Sequence, residues 1–588
     1  NVFRILPEVY SVAPTTGTVG TVVTIQGTGY AASEAVTIGF GTNVNIQQVA
    51  ASTNGSWTAI FTIDTQVYGS TTIMALGAGK SAYRQFKILP GILMMTPNRG
   101  SVGTQISLVG AGYGSGEVVT FGIGWSPALG SLTSSQNGSF SVSWTVDVQP
   151  YGTRTVVAVS PIAGTATEKF FVNAQITNVS PRFSPPGGTV GVIATVEGNG
   201  YLPGEAVRID FGWTNSITTT TADSFGGFLA KFTVDTQPYG TTTIKAIGLI
   251  SDAMADAYFI INTNITAITP NKGIVGTMII LNGNGYAANE QVSILLGTTQ
   301  DITRTTTNNK GEFEAVFTVD TQAYGLLTVT AEGTVSQKPA YTSFTIETKI
   351  TSVVPSTGTV GTIVTVSGTG YVASDAVTVA FGTNANIQMV SASSSGAFIA
   401  VFTVDTQCYG TTTITSSGGV AVANSMFVIY PQVVSVSPTA GTVGTVVTIY
   451  STGYAGNDAV KITFGTNVSI QTAQASMYGS WTASWTVDIQ AYGTTTIIAS
   501  GIPSASNCFF IQPQVVSVSP TAGTVGTVVT IYSTGYAAND AVKITFGTNV
   551  SIQTTQASTY GSWTASFTID VQAVGTTTIT VSGAKAVA

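Results

Sequence analysis

The sequence predicts an all-β protein built as seven β-sandwich units in an extended row. Three observations predict it. The first is an internal repeat: a phrase close to V-x-P-T-x-G-T-V-G-T-V-V-T-I-x-G-T-G-Y recurs with its first proline at Pro14, Pro97, Pro181, Pro270, Pro355, Pro438 and Pro520, spaced by 82 to 89 residues. A period that long is a whole domain and not a solenoid turn. The second is that apolar residues alternate with Thr and Ser through every copy, which is the period of a strand with one buried face. No stretch has helical periodicity. The third is a turn signal every roughly 8–12 residues, the punctuation of short antiparallel strands.

Within the first copy the elements come in order. Val23, Ile25 and Gly27 share a face, as do Val36, Ile38 and Phe40, then Val44 and Ile46. Trp57, Ala59, Phe61 and Ile63 form the next set, followed by Ile73 and Ala75, then Phe86 and Ile88. Pro14 to Gly17, Gly27 to Gly29, Gly41 to Asn43, Asn54-Gly55, Gly69 and Gly77 supply the turns between them. About seven short strands in ~85 residues is the pattern of an immunoglobulin-like sandwich. The expected units are residues 8–90, 91–173, 174–262, 263–347, 348–431, 432–513 and 514–588, after a short segment 1–7. Each junction reads F-x-I or close to it, then a few residues, then the next first strand, so the row is expected to be semi-rigid.

These residues resemble a known family. Val12-Ala13-Pro14, Gly17 to Thr21, Val23-Thr24-Ile25 and Gly27-Thr28-Gly29-Tyr30, followed by Phe40-Gly41, are similar to the IPT/TIG branch of immunoglobulin-like domains. All seven copies carry the pattern, although the second and third depart most, with Trp125 and Trp213 just after the F-G step and an inserted Pro185-Pro186 in the third. The resemblance implies a fold, used in surface and extracellular proteins and in some regulators that touch DNA; it implies no activity. Copies six and seven are almost identical from Val433 and Val515 onward, as expected of a recent duplication in a protein whose product is length.

Composition narrows the function. The chain is 43% hydrophobic and only 8% charged, which is the opposite of a disordered chain. A net charge of −7 argues against nucleic acid as a partner. The longest apolar runs are far short of a membrane span. No signal peptide is present and the chain starts at Asn1, the expectation for a processed end or the edge of an excised segment. Histidine is absent, so a Ser or Cys nucleophile lacks its usual base. No catalytic residue, metal ligand or cofactor is assigned.

Fourteen of the 26 acids occupy two periodic positions: the series Asp64, Asp147, Asp235, Asp320, Asp405, Asp488 and Asp570, and the series Glu34, Glu117, Glu205, Glu290, Asp375, Asp458 and Asp540. Strand directions place the two series at opposite ends of a unit, so each junction receives one of each. Calcium between units is the functional reading, but it wants six to eight oxygens. An Asx-type turn for the aspartate and a solvated loop for the other acid fit better. Tyr68 and its equivalents come after Asp-Thr-Gln and suggest the tyrosine corner of immunoglobulin sandwiches, with Val574 in the seventh copy.

Two cysteines in 588 residues exclude a disulfide framework. Cys408 and Cys508 belong to neighbouring units, and the strand count places both near one junction, where they form a candidate interdomain disulfide. Asn54, Asn137, Asn264, Asn467 and Asn549 are candidate N-glycosylation acceptors; Asn178, before Ser180-Pro181, is the poorest of the six sequons. Lysines have no period, which argues against repeated Lys–Asn isopeptide cross-links.

The chain ends suggest the function. Six copies finish in a Phe-x-Ile-type strand, clearest in Phe86-Lys87-Ile88-Leu89-Pro90, and the N-terminus reads Phe3-Arg4-Ile5-Leu6-Pro7. The seventh copy has no such segment before Ala588. The expectation is a structural subunit of an extracellular filament or surface layer, a homopolymer joined head to tail by donation of Phe3 and Ile5 into the last unit. Full burial of those side chains contributes roughly 1.5–3 kcal/mol each. The alternative is a modular cell-surface adhesin or spacer, cut from a longer array, that presents a binding tip.

Overall fold

A computed structural model describes residues 2–181 and 185–588. Among them every regular element is a β-strand. The first unit holds eight: β1 (Glu8–Ala13), β2 (Thr16–Gly17), β3 (Val22–Thr28), β4 (Ala35–Phe40), β5 (Asn43–Ala50), β6 (Trp57–Thr62), β7 (Gly69–Gly77) and β8 (Lys80–Ile88). They form a three-stranded sheet, β1-β3-β6, facing a five-stranded sheet, β2-β8-β7-β4-β5. The chain leaves the first sheet at Pro14 and re-enters the second as β2, which pairs parallel to β8. All other pairings in the unit are antiparallel.

Alternation decides what fills the sandwich. Val23 and Ile25 of β3, Val36, Ile38 and Phe40 of β4, Trp57, Ala59 and Phe61 of β6, Ile73 and Ala75 of β7 and Phe86 and Ile88 of β8 are buried together. The threonines between them face outward. Phe40 packs against both Phe61 and Phe86, with ring centroids at 5.4 and 5.7 Å. Edge-to-face and tilted contacts of this kind add to the area term. Gly27 lies under the Trp57 ring: a Cβ there would sit 2.2 Å from it, so only glycine fits opposite that tryptophan.

Units two to six repeat this plan, each with a three-stranded and a five-stranded sheet. The last strand of one unit ends two residues before the first strand of the next, as at Ile88 and Gly91, Val172 and Gln175, or Ile511 and Gln514. The seventh unit departs. Its first sheet is complete, with Gln514–Ser519, Val528–Thr534 and Trp563–Thr568. Its second sheet has three strands, Asn549–Gln556, Ala541–Phe546 and Ile579–Ser582. Among the described residues it has no counterpart of β2 and none of the lower half of β8. The counterpart of β7 shrinks from nine residues to four.

Candidate functional site

The two ends of a unit are built differently. At the end carrying the Glu34 series, the carboxylate closes a loop onto its own unit. Glu34 accepts from the Ala31 N–H at 2.6 Å and from the Ala78 N–H at 2.5 Å, tying the turn after β3 to the turn after β7. These bonds to the charged form hold its carboxyl below the usual carboxylate range. Glu117, Glu205 and Glu290 do the same from buried positions. Glu117 takes the N–H groups of Gly114 and Ile162 at 2.7 and 2.8 Å and the Ser160 hydroxyl. Burial pushes its carboxyl up, but those donors outweigh burial and leave it below the ordinary value. For these four glutamates the solvated-loop expectation is therefore corrected: the acid is a clamp, whereas the shorter Asp375 accepts from the N–H of its neighbour Ala376 at 2.9 Å.

Beside it stands the Tyr30 series. Tyr30, Tyr113, Tyr201 and Tyr286 are buried, and each hydroxyl donates to a carbonyl of the β7 equivalent, Ala75, Ala158, Ala246 and Ala331. Burial first, and the nearby Glu34 second, push the Tyr30 hydroxyl up to about 12.

At the opposite end the Asp64 series also works within its own unit. Asp64 accepts from Asn43 Nδ2 at 3.1 Å and from Gln66 Nε2 at 2.9 Å, and Gln66 Oε1 in turn accepts from the Thr42 N–H at 3.3 Å. Gln66 is buried, and its equivalents recur at Gln149, Gln237, Gln322, Gln407 and Gln490. Its period is plain in the sequence, but a periodic glutamine carries no signal of burial, and only the structure marks it as the partner of the aspartate. Among the described residues no group of three acids, cysteines or histidines is placed to hold a metal ion.

The junctions are made by the tyrosine two residues beyond that glutamine. The Tyr68 N–H donates to the Tyr113 carbonyl of the next unit at 3.0 Å, and the same bond recurs from Tyr151 to Tyr201, Tyr239 to Tyr286, Tyr324 to Tyr371, Tyr409 to Tyr454 and Tyr492 to Tyr536. The rings of Tyr68, Tyr151 and Tyr492 pack against the core of the adjoining unit. The tyrosine-corner expectation is thus corrected: this tyrosine joins units, and the buried hydroxyl belongs to the Tyr30 series. Gln175, Gln432 and Gln514 add a second tie, donating from Nε2 to the carbonyls of Val102, Val360 and Val443 in the preceding unit.

Both thiols are free. Cys408 does sit at the junction of units five and six, where its Sγ lies 2.9 Å from the Met477 carbonyl. Cys508 sits mid-strand opposite Thr496 and is exposed. The expected disulfide is corrected on that ground: one thiol is directed into a turn, the other outward from a sheet. Asn54 and Asn137 occupy exposed turns, with Oδ1 accepting from flanking serines. Asn467 and Asn549 use Nδ2 to hold Asp488 and Asp570 at 3.4 and 2.9 Å, so their amide nitrogens are engaged. Asn264 starts a strand, paired with Asn284.

The first and last units differ from the rest at their outer ends. Phe3 is 91% and Ile5 67% exposed. The segment behind them is seated: a Cβ on Gly29 would lie 2.3 Å from the Leu6 carbonyl, and a Cβ on Gly112 would lie 2.3 Å from the Leu89 carbonyl. Leu6 thus stands on unit one as Leu89 stands on unit two. In the last unit a groove of about 650 Å³ opens, lined by Val518, Val529, Phe546, Ile569 and Ile579 among others.

Comparisons with known proteins bear on the fold. The macroglobulin-like domain model matches residues 261–346, the span of unit four. No curated protein matches. Among solved structures, the chain is similar to a Salmonella α2-macroglobulin mutant, with 9% identity over 93% of this chain and a TM-score of 0.14; it spans 49% of that protein's length. It is similar to the ice-binding, Ca²⁺-stabilized adhesin of an Antarctic bacterium (13% identity, 59% of this chain and 99% of that one, TM-score 0.13). It is likewise similar to invasin, a bacterial integrin-binding protein (16% identity, 60% of this chain and 82% of that one, TM-score 0.16). The protein is an all-β tandem array of immunoglobulin-like sandwiches.

Proposed function

We propose that this chain is a mechanical element of the cell exterior, a stalk or spacer that holds its ends apart. One observation carries this reading: six successive junctions use the same Tyr N–H to Tyr carbonyl bond, with linkers of two residues. Such linkers leave little freedom, so the units act as a semi-rigid row. The periodic acids, glutamines and buried tyrosines serve turns within each unit, and no enzymatic role is proposed. Few charges and Thr-rich outer faces suit an exposed array, and Asn54 and Asn137 are the proposed glycan acceptors.

Negative-stain images of the purified chain test this. The expected result is a rod of seven similar beads with a narrow distribution of end-to-end distance. A chain that bends freely at every bead, or a compact globule, overturns the reading.

A second reading rests on the same junctions: units that dock end to end within the chain can dock end to end between chains. In it the rod is the subunit of a filament or surface layer, assembled head to tail. Fibres in the same images, many rod lengths long, favour it over the single spacer.

A further inference from the structure

We propose that unit four makes a covalent cross-link in itself, an ester between the Thr299 hydroxyl and the Gln322 carboxamide, formed with loss of ammonia. The proposal stands apart from the spacer reading: a chain without the bond is a rod all the same.

The units differ at one position beside the periodic aspartate. Two residues beyond the turn glycine (Gly41 in unit one) stand Asn43, Asn384, Asn467 and Asn549 in units one, five, six and seven, but Ser126, Thr214 and Thr299 in units two, three and four. In the first group the asparagine Nδ2 donates to the aspartate, at 3.1 Å to Asp64 and 3.0 Å to Asp405. In the second group a hydroxyl takes that place: Ser126 donates to Asp147, Thr214 to Asp235 and Thr299 to Asp320. A carboxylate bonded to an alcohol is a general base already in position. An amide nitrogen there offers the aspartate no hydroxyl to activate.

Unit four adds the electrophile. Gln322 is only 4% exposed. Its Nε2 donates to Thr299 Oγ1 at 2.8 Å and lies 3.0 and 3.2 Å from the two oxygens of Asp320. Nucleophile, base and leaving nitrogen therefore touch one another. On the other side of the amide the Thr298 hydroxyl donates to Gln322 Oε1 at 3.2 Å. Negative charge develops on that oxygen when an alcohol adds to the carbonyl, so this donor is aimed where it stabilises the transition state. A Cβ on Gly297 would lie 3.0 Å from the same oxygen, so the turn backbone covers it. In units two and three the glutamine nitrogen also meets its aspartate, at 2.8 and 3.0 Å. Among the described residues, however, only Thr299 touches both the aspartate and the glutamine amide.

The step balances. Asp320 takes the proton from Thr299 Oγ1 as that oxygen adds to Gln322 Cδ. Collapse of the tetrahedral intermediate keeps the new Oγ1–Cδ bond and breaks Cδ–Nε2. Asp320 hands the proton to Nε2, which leaves as ammonia. Nothing is oxidised or reduced, and no co-reactant is needed. Oγ1 rests beside Nε2, one bond from the carbon that it attacks. The terminal torsion of a glutamine is soft, and a turn about it brings Cδ to face the oxygen. A carboxamide is a poor electrophile in water. Fixed proximity offsets this, since well-oriented intramolecular reactions reach effective molarities of about 10⁵–10⁸ M. Escape of ammonia makes the step one-way.

The bond closes a ring around the strands Thr299–Thr306 and Phe313–Thr318. Two residues beyond Gln322, the Tyr324 N–H donates to the Tyr371 carbonyl of unit five at 2.8 Å. The cross-link therefore pins the turn by which unit four holds unit five.

Intact-mass measurement of the full chain tests this. The expected mass is about 17 Da below that of the sequence, the loss of one ammonia as an ester replaces an amide. Digestion is expected to yield one pair of peptides joined through Thr299 and Gln322, which mild alkali separates. Thr299→Asn installs the residue that four other units carry in the same fold, and is expected to abolish the loss. Thr299→Ser keeps the hydroxyl and is expected to retain it, and Asp320→Asn is expected to leave the peptides separate. A chain at its full sequence mass overturns the proposal and leaves the spacer reading intact. A loss that persists in Thr299→Asn, such as a succinimide at Asn54-Gly55 gives, overturns it too. So does a joined pair in unit two or three with none in unit four.

Discussion

Units one and seven have nearly the same sequence plan and different structures. In unit one β7 runs nine residues from Gly69, because β8 lies beside it along its whole length. In unit seven the same stretch is strand only from Ile579 to Ser582, where Val587 and Ala588 lie alongside. Three threonines, Thr576 to Thr578, precede it and match Ser70 to Thr72 of unit one, yet they form no strand. The lesson is that a strand of small polar and β-branched residues is made by its neighbour. The ladder and the inserted Phe-x-Ile pair stabilise it, and propensity alone does not.

The largest test converts unit one into unit seven. Phe86→Ala with Ile88→Ala should open the same groove. Such truncations cost about 3–5 and 2–5 kcal/mol in a packed core, a large part of a domain's stability. Hydrogen exchange at Ser70–Ile73 should accelerate toward that of Thr576–Ile579. Unchanged protection would break the comparison. The converse test appends the six residues Asn-Ser-Met-Phe-Val-Ile, the sequence of 424–429, after Ala588. Burying Phe and Ile should raise the stability of unit seven by about 3 kcal/mol or more and protect Thr576–Thr578.

A smaller effect distinguishes the loop clamps. Glu117→Gln in unit two leaves an amide among N–H donors and should cost about 1–3 kcal/mol at neutral pH. Because the folded carboxyl lies below its ordinary value, its contribution is complete above the unfolded pKa of about 4.3 and is lost as pH falls through the folded one. Denaturation midpoints of unit two should therefore fall in acid for the wild type and stay flatter for the variant. An identical pH slope would show that the clamp is not electrostatic. The smallest effect is Tyr492→Val, which gives the last junction the residue that unit seven carries at Val574. Losing the contact with Phe510 at 5.3 Å should cost about 1 kcal/mol and widen the bend distribution at that junction in solution scattering.

Much of this is written locally. The alternation through Val23, Ile25, Val36 and Ile38 marks which faces are buried, because side chains of a strand point to opposite sides by geometry. The F-x-I endings mark where one unit gives way to the next, and Phe3-Arg4-Ile5 repeats that ending ahead of unit one. The acids are visible as periods, but their partners are not. Glu34 binds the N–H of Ala78, 44 residues on, and nothing in the spacing says which backbone donor a carboxylate meets. The two tyrosine series exchange roles for the same reason: both are periodic, and only three-dimensional placement separates Tyr30, inside a unit, from Tyr68, across a junction.

By itself, then, the sequence determined the number of units, their sandwich class, their order and the strand that each lends to its own core. Those properties come from period, alternation and turn chemistry, which act over a few residues. The tertiary structure alone decided which end of each unit closes on itself, how successive units hold one another, and that Cys408 and Cys508 stay apart. Each of those depends on groups distant in the chain meeting at hydrogen-bond or contact distance, and that is set by how the sheets stack.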